Sequence, residues 1–579
     1  MNSPALDPIT LEVVRNKLEG IANEMQLTLL RSSFSPIVKE GLDASASLFS
    51  IEGETLAQAI AVPIHLATLI PVVRTILAKY PPESMREGDI YILNDPYHGG
   101  THLPDIALVM PVFRQGRPFA LSCAMTHHQD VGGMSPGSVP TTATEIFQEG
   151  VRIPALKLRE AGRFNDTLID LLKLNVRMPD SFMGDLNAQI AACTVGARRL
   201  GALAEAHGDN LLRAIFAELL DRSERMTRAA LRQIPEGTYR YVDYLDNDGI
   251  ELDRTVAIAV AVTVRDGRLI CDFSGTAPQV RGPFNCVPSG AMAAACFAVR
   301  AMTDPGIPTN GGCFRPIELR LPEGSIVNPK EPAPVNSRTA TIKRITGCIL
   351  GALKEALPDR LPADGAGELL VLAFGGARSD GSRYVVGELI AGGSGAALGH
   401  DGIDAIETDA TNCMNLPAEA MELEAPIRVL RSELRRDSGG DGEFRGGLGC
   451  VREYQVLAGE VRLTHRGERH VHPARGAAGG GAGALAHSRI RRADGREEVI
   501  PSKLMTTLHP GDRLIVETAG GGGWGDPTKR DPDARLADRA NGKVSATPCD
   551  DLASLVAGIA DDNRHEETVW GKPAGKEGW

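Results

Sequence analysis

The sequence predicts a mixed α+β protein of several domains, with a helical and short-strand N-terminal half and a strand-rich, glycine-rich C-terminal half. The chain has 579 residues, and at about 150 residues per domain this length favours three or four domains. Hydrophobic residues make up 42% and charged residues 23% of the chain, the balance of an ordinary folded protein. Apolar residues follow helical spacing near the N-terminus and form short strand-like runs later. We therefore divide the chain into residues 1–235, 236–527 and 528–579.

The N-terminal region is expected to begin with a helix. Asp7 is the predicted N-cap and Pro8 occupies the first helical position, after which apolar residues recur every three or four positions. A second helix is expected at residues 66–77. Short buried strands are expected at residues 89–93, 106–113 and 119–125. Helical spacing returns over residues 165–233.

The region after residue 235 has strand-like patterns, and the turn residues Pro235-Glu-Gly237 mark the predicted boundary. Short apolar runs separated by Asp/Gly turns predict strands at residues 238–242, 256–264, 269–273 and 450–457. Helices are expected at residues 289–302 and 340–357. Glycine-rich loops are expected at residues 437–449, 476–483 and 520–523. From about residue 528 the chain is polar, and we expect a weakly ordered tail.

The composition argues against several classes of protein. The formal net charge is −12, whereas a protein that binds nucleic acid needs a basic face. The longest apolar runs fall well short of the roughly 20 residues that span a membrane, and no signal-peptide pattern opens the sequence. Ten cysteines occur without a Cys-x-x-Cys pair, which predicts reduced, mostly buried thiols. We therefore expect a cytoplasmic protein with no nucleic-acid or membrane partner.

Histidine and aspartate are concentrated in two segments that follow neighbouring predicted strands. Four of the 13 histidines fall within 31 residues, where an even spread would give about one. These four are His98, His102, His127 and His128. In each segment an aspartate follows a histidine by three residues, as His102/Asp105 and His127/Asp130. Imidazole and carboxylate donors without thiolates favour Mn, Fe or Zn, so we predict a divalent metal site in this loop region. Loop histidines that cap turns or pair with aspartates are the alternative.

A second cluster of basic residues lies in the C-terminal half. It comprises His465, Arg466, Arg469, His470 and His472. Such a cluster suits an anionic substrate or phosphate, and a solvated loop or a subunit contact explains it equally well. The glycines of residues 437–447 have the composition of an anion-binding nest. Because no Gly-x-x-x-x-Gly-Lys-Ser/Thr motif occurs, we expect no P-loop ATP site on this chain.

Together with their flanking residues, these segments resemble the hydantoinase B / 5-oxoprolinase beta family, which includes the metal-bearing subunits of acetone and acetophenone carboxylases. The resemblance covers roughly residues 7–527 and depends on several long blocks. One of them is Asn94-Asp-Pro-Tyr-His-Gly-Gly-Thr-His-Leu-Pro-Asp105. The others lie at residues 7–14, 34–43, 63–66, 184–189, 272–276, 437–447 and 520–527.

The resemblance implies a subunit that works beside a hydantoinase A-type subunit carrying ATP and Mg²⁺. A hetero-oligomer such as (αβ)2 is the natural symmetric arrangement. ATP would phosphorylate a carbonyl oxygen of a small cyclic amide or imide, such as 5-oxoproline, hydantoin or N-methylhydantoin. The activated ring would then be hydrolysed, and this reaction corresponds to an ATP-hydrolysing cyclic amidase.

Carried onto this chain, the family's metal ligands would be His102, Asp105 and His127. Asp130 and His98 would be neighbours or alternative ligands. The expected ion is Mn, Zn or Fe, with Mn slightly preferred, and it would activate a water molecule for attack on the ring. Asp130 or His128 would take the proton from that water.

Three functions remain open from the sequence, and the leading one is the B subunit of an ATP-dependent cyclic amide hydrolase. The second is the metal-bearing subunit of an ATP-dependent ketone carboxylase, whose subunits tend to be longer than this chain. The third is a non-catalytic partner that shapes the site of the ATP-binding subunit. The chain departs from the family pattern at residues 336–341 and 412–417, which are both candidates for facing the substrate. The sequence therefore leaves the substrate open.

Overall fold

The computed structural model describes residues 6–545, which form four β-sheets packed with helices. This is the mixed α and β architecture that the sequence predicts. Residues up to Arg530 form one compact unit. The second unit begins at Asp531, and its described part contains the helix Pro532–Ala540. The rest of the polar tail predicted from residue 528 lies outside the described residues beyond Ser545. No helix in the described range has the length and apolar character needed to cross a membrane.

The helices and strands are numbered in chain order. The helices are α1 (Pro8–Ser32), α2 (Pro36–Lys39), α3 (Leu69–Lys79), α4 (Asp166–Asn175), α5 (Pro179–His207), α6 (Asp209–Leu231), α7 (Pro288–Met302), α8 (Gly311–Phe314), α9 (Arg338–Leu353), α10 (Ala418–Glu424) and α11 (Pro532–Ala540). The first eleven strands are β1 (Ala44–Ser50), β2 (Thr55–Gln58), β3 (Ile90–Leu93), β4 (Asp105–Arg114), β5 (Arg117–His127), β6 (Leu156–Glu160), β7 (Arg163–Phe164), β8 (Gly237–Leu245), β9 (Val256–Arg265), β10 (Arg268–Asp272) and β11 (Ile317–Arg320). The remaining strands are β12 (Leu369–Ala377), β13 (Arg383–Ala391), β14 (Ile427–Leu434), β15 (Cys450–Val456), β16 (Val461–Arg466), β17 (His487–Arg491), β18 (Glu497–Val499), β19 (Lys503–Leu508) and β20 (Arg513–Glu517).

The first helix confirms its predicted start, because the side chain of Asp7 accepts hydrogen bonds from the amides of Ile9 and Thr10. The second helix begins at Leu69, three residues later than the sequence predicts. The reason is local, since Ala67 has a φ of 60° and cannot belong to a right-handed helix. Pro71 is tolerated because it lies in the first turn, where amides have no intrahelical partner.

The first sheet has seven antiparallel strands in the order β2-β1-β5-β4-β3-β6-β7. Its centre is buried on both faces. Leu108 and Ala124 belong to the core shared with α1 and α5, whereas their neighbours Val109 and Cys123 belong to the core covered by α3. The three predicted strands of this region are therefore confirmed, and double burial explains why β4 and β5 are almost continuously apolar.

The second sheet has the order β11-β10-β9-β8 and carries α7 and α9. Buried and partly buried residues alternate along β9, as expected of a strand with one face on the core. The apolar core of the first sheet continues into this region across the predicted boundary, through Leu231, Ile234 and Leu245.

Two further antiparallel sheets make the C-terminal half strand-rich, as predicted. Their strand orders are β13-β12-β16-β19 and β14-β15-β20-β17-β18, and they share one apolar core. The cysteines in the described residues are free thiols, and all of them except the half-buried Cys450 are buried, in agreement with the sequence prediction.

Glycine-rich segments of this half are hydrogen-bonded to one another through their backbones. The amide of Gly440 donates to Gly521 O at 2.9 Å, Gly521 donates to Gly447 O at 2.9 Å, and Gly447 donates to Ser394 O at 2.8 Å. A Cβ atom on Gly447 would lie 2.1 Å from Ile403 O, so only glycine allows this approach. The anion-binding nest predicted at residues 437–447 is wrong for Gly440 and Gly447, because backbone carbonyls already occupy their amides.

Candidate metal centre

The first sheet places Asp105 and His127 side by side. Asp105 begins β4, His127 ends β5, and the two residues are directly opposed in the antiparallel register. The amide of His127 also donates to the carbonyl oxygen of Asp43, which immediately precedes β1. Directly opposed residues of a sheet have Cβ atoms about 4.5–5.5 Å apart, so strand pairing alone brings these side chains to the same end of the sheet.

The loop before β4 brings His102 to the same place. Its Nε2 atom lies 3.0 Å from Asp105 Oδ1 and 3.2 Å from His127 Nδ1. His127 Nδ1 lies 3.4 Å from Asp105 Oδ1. One possible ligand atom from each of the three residues thus lies within 4.8 Å of the other two. The structure therefore brings together three of the residues that the sequence nominates as ligands, and we call this group the His–Asp–His cluster.

The hydrogen bonding of His102 determines which ring nitrogen faces the cluster. Its Nδ1 lies 3.0 Å from the backbone oxygen of Asn336, which can only accept, so Nδ1 carries the proton. Burial, together with the positive charge of Arg338, lowers the pKa of His102 to about 3. The ring is therefore neutral near pH 7, and Nε2 presents a lone pair to Asp105 Oδ1. His102 Nε2 and Asp105 Oδ1 are therefore both acceptors, and two acceptors this close suit a cation that both can bind. A backbone carbonyl that accepts from the other ring nitrogen, here Nδ1, is typical of metal-binding histidines.

Two donors hold the other carboxylate oxygen of Asp105. Arg338 Nη2 and Thr101 Oγ1 each lie 2.5 Å from Asp105 Oδ2. Burial acts to raise the pKa of Asp105, but the positive charge of Arg338 helps to hold that pKa well below its usual range. The carboxylate is therefore ionised, and its Oδ1 remains directed toward the two histidines.

Two residues that sequence reasoning did not assign to the site, Asp43 and His65, adjoin the cluster. Asp43 Oδ2 lies 3.7 Å from His127 Nδ1, and His65 Nε2 lies 3.7 Å from both Asp43 Oδ1 and Asp105 Oδ2. Asp43 Oδ1 and His65 Nε2 are buried without a hydrogen-bond partner, as polar atoms of a ligand-binding site commonly are. Both residues lie in blocks that carry the family resemblance, and this was the one signal that could have singled them out.

The structure does not bring His98 and His128 into the cluster. The side chain of His98 is 61% exposed and its Nδ1 lies 3.1 Å from Asp95 Oδ2. His128 is buried, with Nε2 3.0 Å from Gln189 Oε1 and its ring against Phe182. Burial lowers the pKa of His128 below its ordinary value, so this ring is neutral as well.

Asp130 turns away from His127 and binds the following loop. Its Oδ1 accepts from the amides of Gly132 and Arg177, and its Oδ2 accepts from the amide of Gly137 and, at 2.9 Å, from Arg177 Nη1. All of these donors belong to the loop and to the start of the α5 region. The carboxylate therefore fixes the backbone that follows β5.

A cavity adjoins the His–Asp–His cluster. The polar residues that line it include Asp43, His102, His127, Gln129 and Arg338. The apolar residues that line it include Ile37, Ile64, Val139, Leu369, Val371 and Leu389. Arg338, Thr339 and Cys413 come from the two segments that depart from the family pattern, so both segments reach this cavity.

The basic cluster of the C-terminal half is largely buried. His465 is fully buried, Arg466 and Arg469 are 6% and 3% exposed, and the solvated-loop interpretation is therefore wrong for these three residues. Arg469 pairs with Asp243 at 3.1 Å, whereas Arg466 lines the cavity beside the His–Asp–His cluster.

The chain belongs to the hydantoinase B/oxoprolinase family, because a model of that family matches residues 7–527. The beta subunit of caprolactamase from Pseudomonas jessenii is 34% identical over 573 residues, which cover 96% of this chain and 97% of that protein. The B subunit of a putative D-/L-hydantoinase from a Pseudomonas species is 32% identical over 558 residues, covering 93% of each chain.

Solved structures agree with this family. The crystal structure of the ATP-dependent caprolactamase from Pseudomonas jessenii superposes with a TM-score of 0.88 at 33% identity, covering 94% of this chain and 95% of that one. A nucleotide-free acetone carboxylase superposes with a TM-score of 0.87 at 20% identity, covering 93% of this chain and 78% of that one. The second likeness shows a shared fold. The chain is thus a member of a cyclic amide hydrolase family and stands close to the B-type subunits of caprolactamase and hydantoinase.

Proposed function

We propose that this chain is the B-type, metal-bearing subunit of an ATP-dependent enzyme that hydrolyses a small lactam or cyclic imide. A hydantoinase A-type partner would bind ATP and Mg²⁺ and phosphorylate the ring carbonyl oxygen. The observation that carries the proposal is the buried His–Asp–His cluster, which adjoins a cavity lined by both polar and apolar side chains. The near full-length match to the beta subunit of a caprolactamase supports the substrate class and the partner.

His102, Asp105 and His127 would hold a divalent cation, and Asp43 is the further ligand that its position suggests. Two imidazoles and one or two carboxylates suit Mn, Zn or Fe, and we prefer Mn. When bound, the cation would supply Lewis-acid polarisation of a carbonyl or phosphoryl oxygen.

The residues of this chain orient and shield the substrate. Arg338 keeps Asp105 ionised and directs its Oδ1 to the cluster, while Asn336 fixes the tautomer of His102. The apolar residues of the lining would cover the methylene groups of the ring and exclude bulk water. We assign positioning roles to Asp130 and His128, because their hydrogen bonds run to Arg177 and Gln189 and neither residue lines the cavity.

The test is ADP release by this chain co-purified with its ATP-binding partner. The substrates are 5-oxoproline, hydantoin, N-methylhydantoin, caprolactam and acetone, each with and without bicarbonate. We expect release driven by a cyclic amide and indifferent to bicarbonate, together with the ring-opened product.

Two other outcomes would replace the proposal. Release that requires acetone and bicarbonate together would make the chain a ketone carboxylase subunit. Cyclic-amide turnover that survives His102→Ala would make the chain a non-catalytic partner that shapes the ATP subunit's site.

A further inference from the structure

We propose that Arg466 and Arg338 form an oxyanion-binding subsite in the cavity beside the His–Asp–His cluster. The oxyanion is carried by the substrate, either as the phosphoryl group on the activated ring or as a carboxylate attached to the ring. The identity of the substrate that carries the oxyanion depends on the proposed function. The binding of an oxyanion at this place depends only on the geometry of the two arginines and the cavity. Both groups present the same chemistry, which is a pair of negatively charged oxygens that a guanidinium can bind side by side.

Arg466 is a buried cation that lacks an anionic partner. It ends β16, where its backbone pairs with Val371 of β12 and Lys503 of β19. The residue is 6% exposed, and its guanidinium forms no ion pair within 4.0 Å with any carboxylate of the described residues. Its Nη1 atom is buried without a hydrogen-bond partner. By contrast, the buried Arg344 lies 2.9 Å from Asp243.

An unpaired buried guanidinium is energetically costly. Taking an ion out of water costs several kcal/mol unless a counter-charge or hydrogen bonds replace the water. Burial lowers the pKa of Arg466 to about 9, the charge of Arg338 acts in the same direction, and the carboxylate of Glu468 opposes them only in part. A side chain kept in such a position is explained by a ligand that supplies the missing negative charge.

Arg338 supplies the second cation. Its Nη2 holds Asp105, but its Nε atom is buried without a partner. Arg338 and Arg466 line the same cavity as Asp43 and His102. The two guanidinium groups balance the carboxylates of Asp43 and Asp105, so a divalent cation in the cluster would leave the cavity net positive. Such a cavity attracts an anion next to the proposed reaction centre.

The first experiment tests oxyanion binding on the full chain without any turnover. Thermal unfolding is followed with increasing inorganic phosphate at constant ionic strength, for the native protein, Arg466→Met and Arg462→Met. Arg462 lies four residues earlier on β16 and is exposed, so it is the matched control. We expect phosphate to raise the midpoint of the native protein and of Arg462→Met, and to leave that of Arg466→Met unchanged.

The same experiment reports on folding. Arg466→Met keeps an unbranched, flexible side chain and removes an unpaired buried charge, so without phosphate its midpoint should equal or exceed that of the native protein. An equal phosphate response in the native protein and in Arg466→Met would overturn the proposal, as would the absence of any response in the native protein.

The second experiment identifies the carrier with the complete two-subunit enzyme. Arg466→Met is compared with the native enzyme on 5-oxoproline and on 2-pyrrolidinone, the same ring without its carboxylate. If Arg466 binds the carboxylate, KM for 5-oxoproline rises about tenfold or more, equivalent to about 1.4 kcal/mol, and 2-pyrrolidinone turnover is unchanged. If it binds the phosphoryl group, kcat falls for both rings while both KM values change little.

Unchanged kinetics on both rings would contradict the subsite. An enzyme inactive on every ring would refute the proposed function and leave the phosphate experiment to decide the subsite.

Discussion

The Nδ1 atom of His102 lies 3.0 Å from the backbone carbonyl oxygen of Asn336, 234 residues further along the chain. This hydrogen bond fixes the ring so that Nε2 faces Asp105 and His127. It also joins the loop before β4 to the segment that leads into α9, which supplies Arg338. The His–Asp–His cluster is therefore built where the first sheet meets the second part of the chain.

Replacing His102 by alanine should abolish both metal binding and turnover. The substitution removes a proposed metal ligand, so we expect a turnover loss larger than about 100-fold with the fold retained. Metal content by elemental analysis and ADP release by the two-subunit enzyme are the measurements. His98→Ala is the control, because its exposed ring lies outside the cluster and both quantities should stay at the native level. Loss of metal from His98→Ala would restore His98 as a ligand.

Replacing Asp43 by asparagine should weaken metal binding without unfolding the protein. Asparagine keeps the shape of the side chain but removes the charge that faces His127 and His65. We expect the metal dissociation constant to rise about 10–100-fold, as measured by competition with a chelator of known affinity. A dissociation constant equal to the native value would remove Asp43 from the set of ligands.

Replacing Asp130 by asparagine should destabilise the folded protein but leave metal binding and the catalytic step unchanged. The change breaks the buried ion pair with Arg177, which typically costs about 3–5 kcal/mol. Urea unfolding should reveal this loss, while the metal content and the shape of the pH profile of kcat/KM remain native. Disappearance of the acidic limb of that profile would instead make Asp130 the general base predicted from the sequence.

Glu149 should make the free energy of unfolding decrease as the pH rises from 5 to 8. Burial raises its pKa to about 8, although the amides of Val335 and Asn336 donate to its carboxylate. Because the folded pKa is above the ordinary value of 4.5, the stabilisation from the protonated group is full below about pH 4.5 and is lost as the pH rises toward 8. Glu149→Gln lacks this ionisation, so its stability relative to the native protein should increase by a few kcal/mol from pH 5 to pH 8.

Urea unfolding at these two pH values measures that difference. The exposed Glu83 provides the control substitution Glu83→Gln, for which we expect little change in relative stability. A Glu149→Gln effect that is identical at both pH values would show that Glu149 is already ionised in the folded protein.

Adding a methyl group to Gly447 should disrupt the glycine-rich segments. Its Cβ atom would lie 2.1 Å from Ile403 O and 2.7 Å from Ser394 N, so Gly447→Ala requires backbone movement and should cost about 1–3 kcal/mol or more. Gly201→Ala in α5 is the control, because no atom lies within 4 Å of the added carbon. That substitution should be neutral or stabilising by up to about 1 kcal/mol, since alanine favours helix. Thermal unfolding of Gly447→Ala and Gly201→Ala measures the difference. Equal unfolding midpoints of the two variants would contradict the close backbone packing around Gly447.

Much of the fold follows from local sequence. Asp7 and Pro8 define the first helix, and the almost continuous apolar runs of β4 and β5 mark strands buried on both faces. The late start of α3 could not be predicted, because the positive φ of Ala67 is imposed by the surrounding chain and has no glycine or asparagine to signal it.

The sequence by itself showed the family, and through the family resemblance it nominated His102, Asp105 and His127 as metal ligands. Asp105 and His127 come together because they lie at the ends of two strands that pair directly. Only the tertiary structure decided which neighbouring residues complete the site. Asp43, Arg338 and Arg466 approach it from three other parts of the chain. Asp130, by contrast, has the right spacing and points to Arg177. The physical reason is that spacing along a strand fixes which residues can meet across one sheet, whereas contacts between distant segments depend on how the sheets pack.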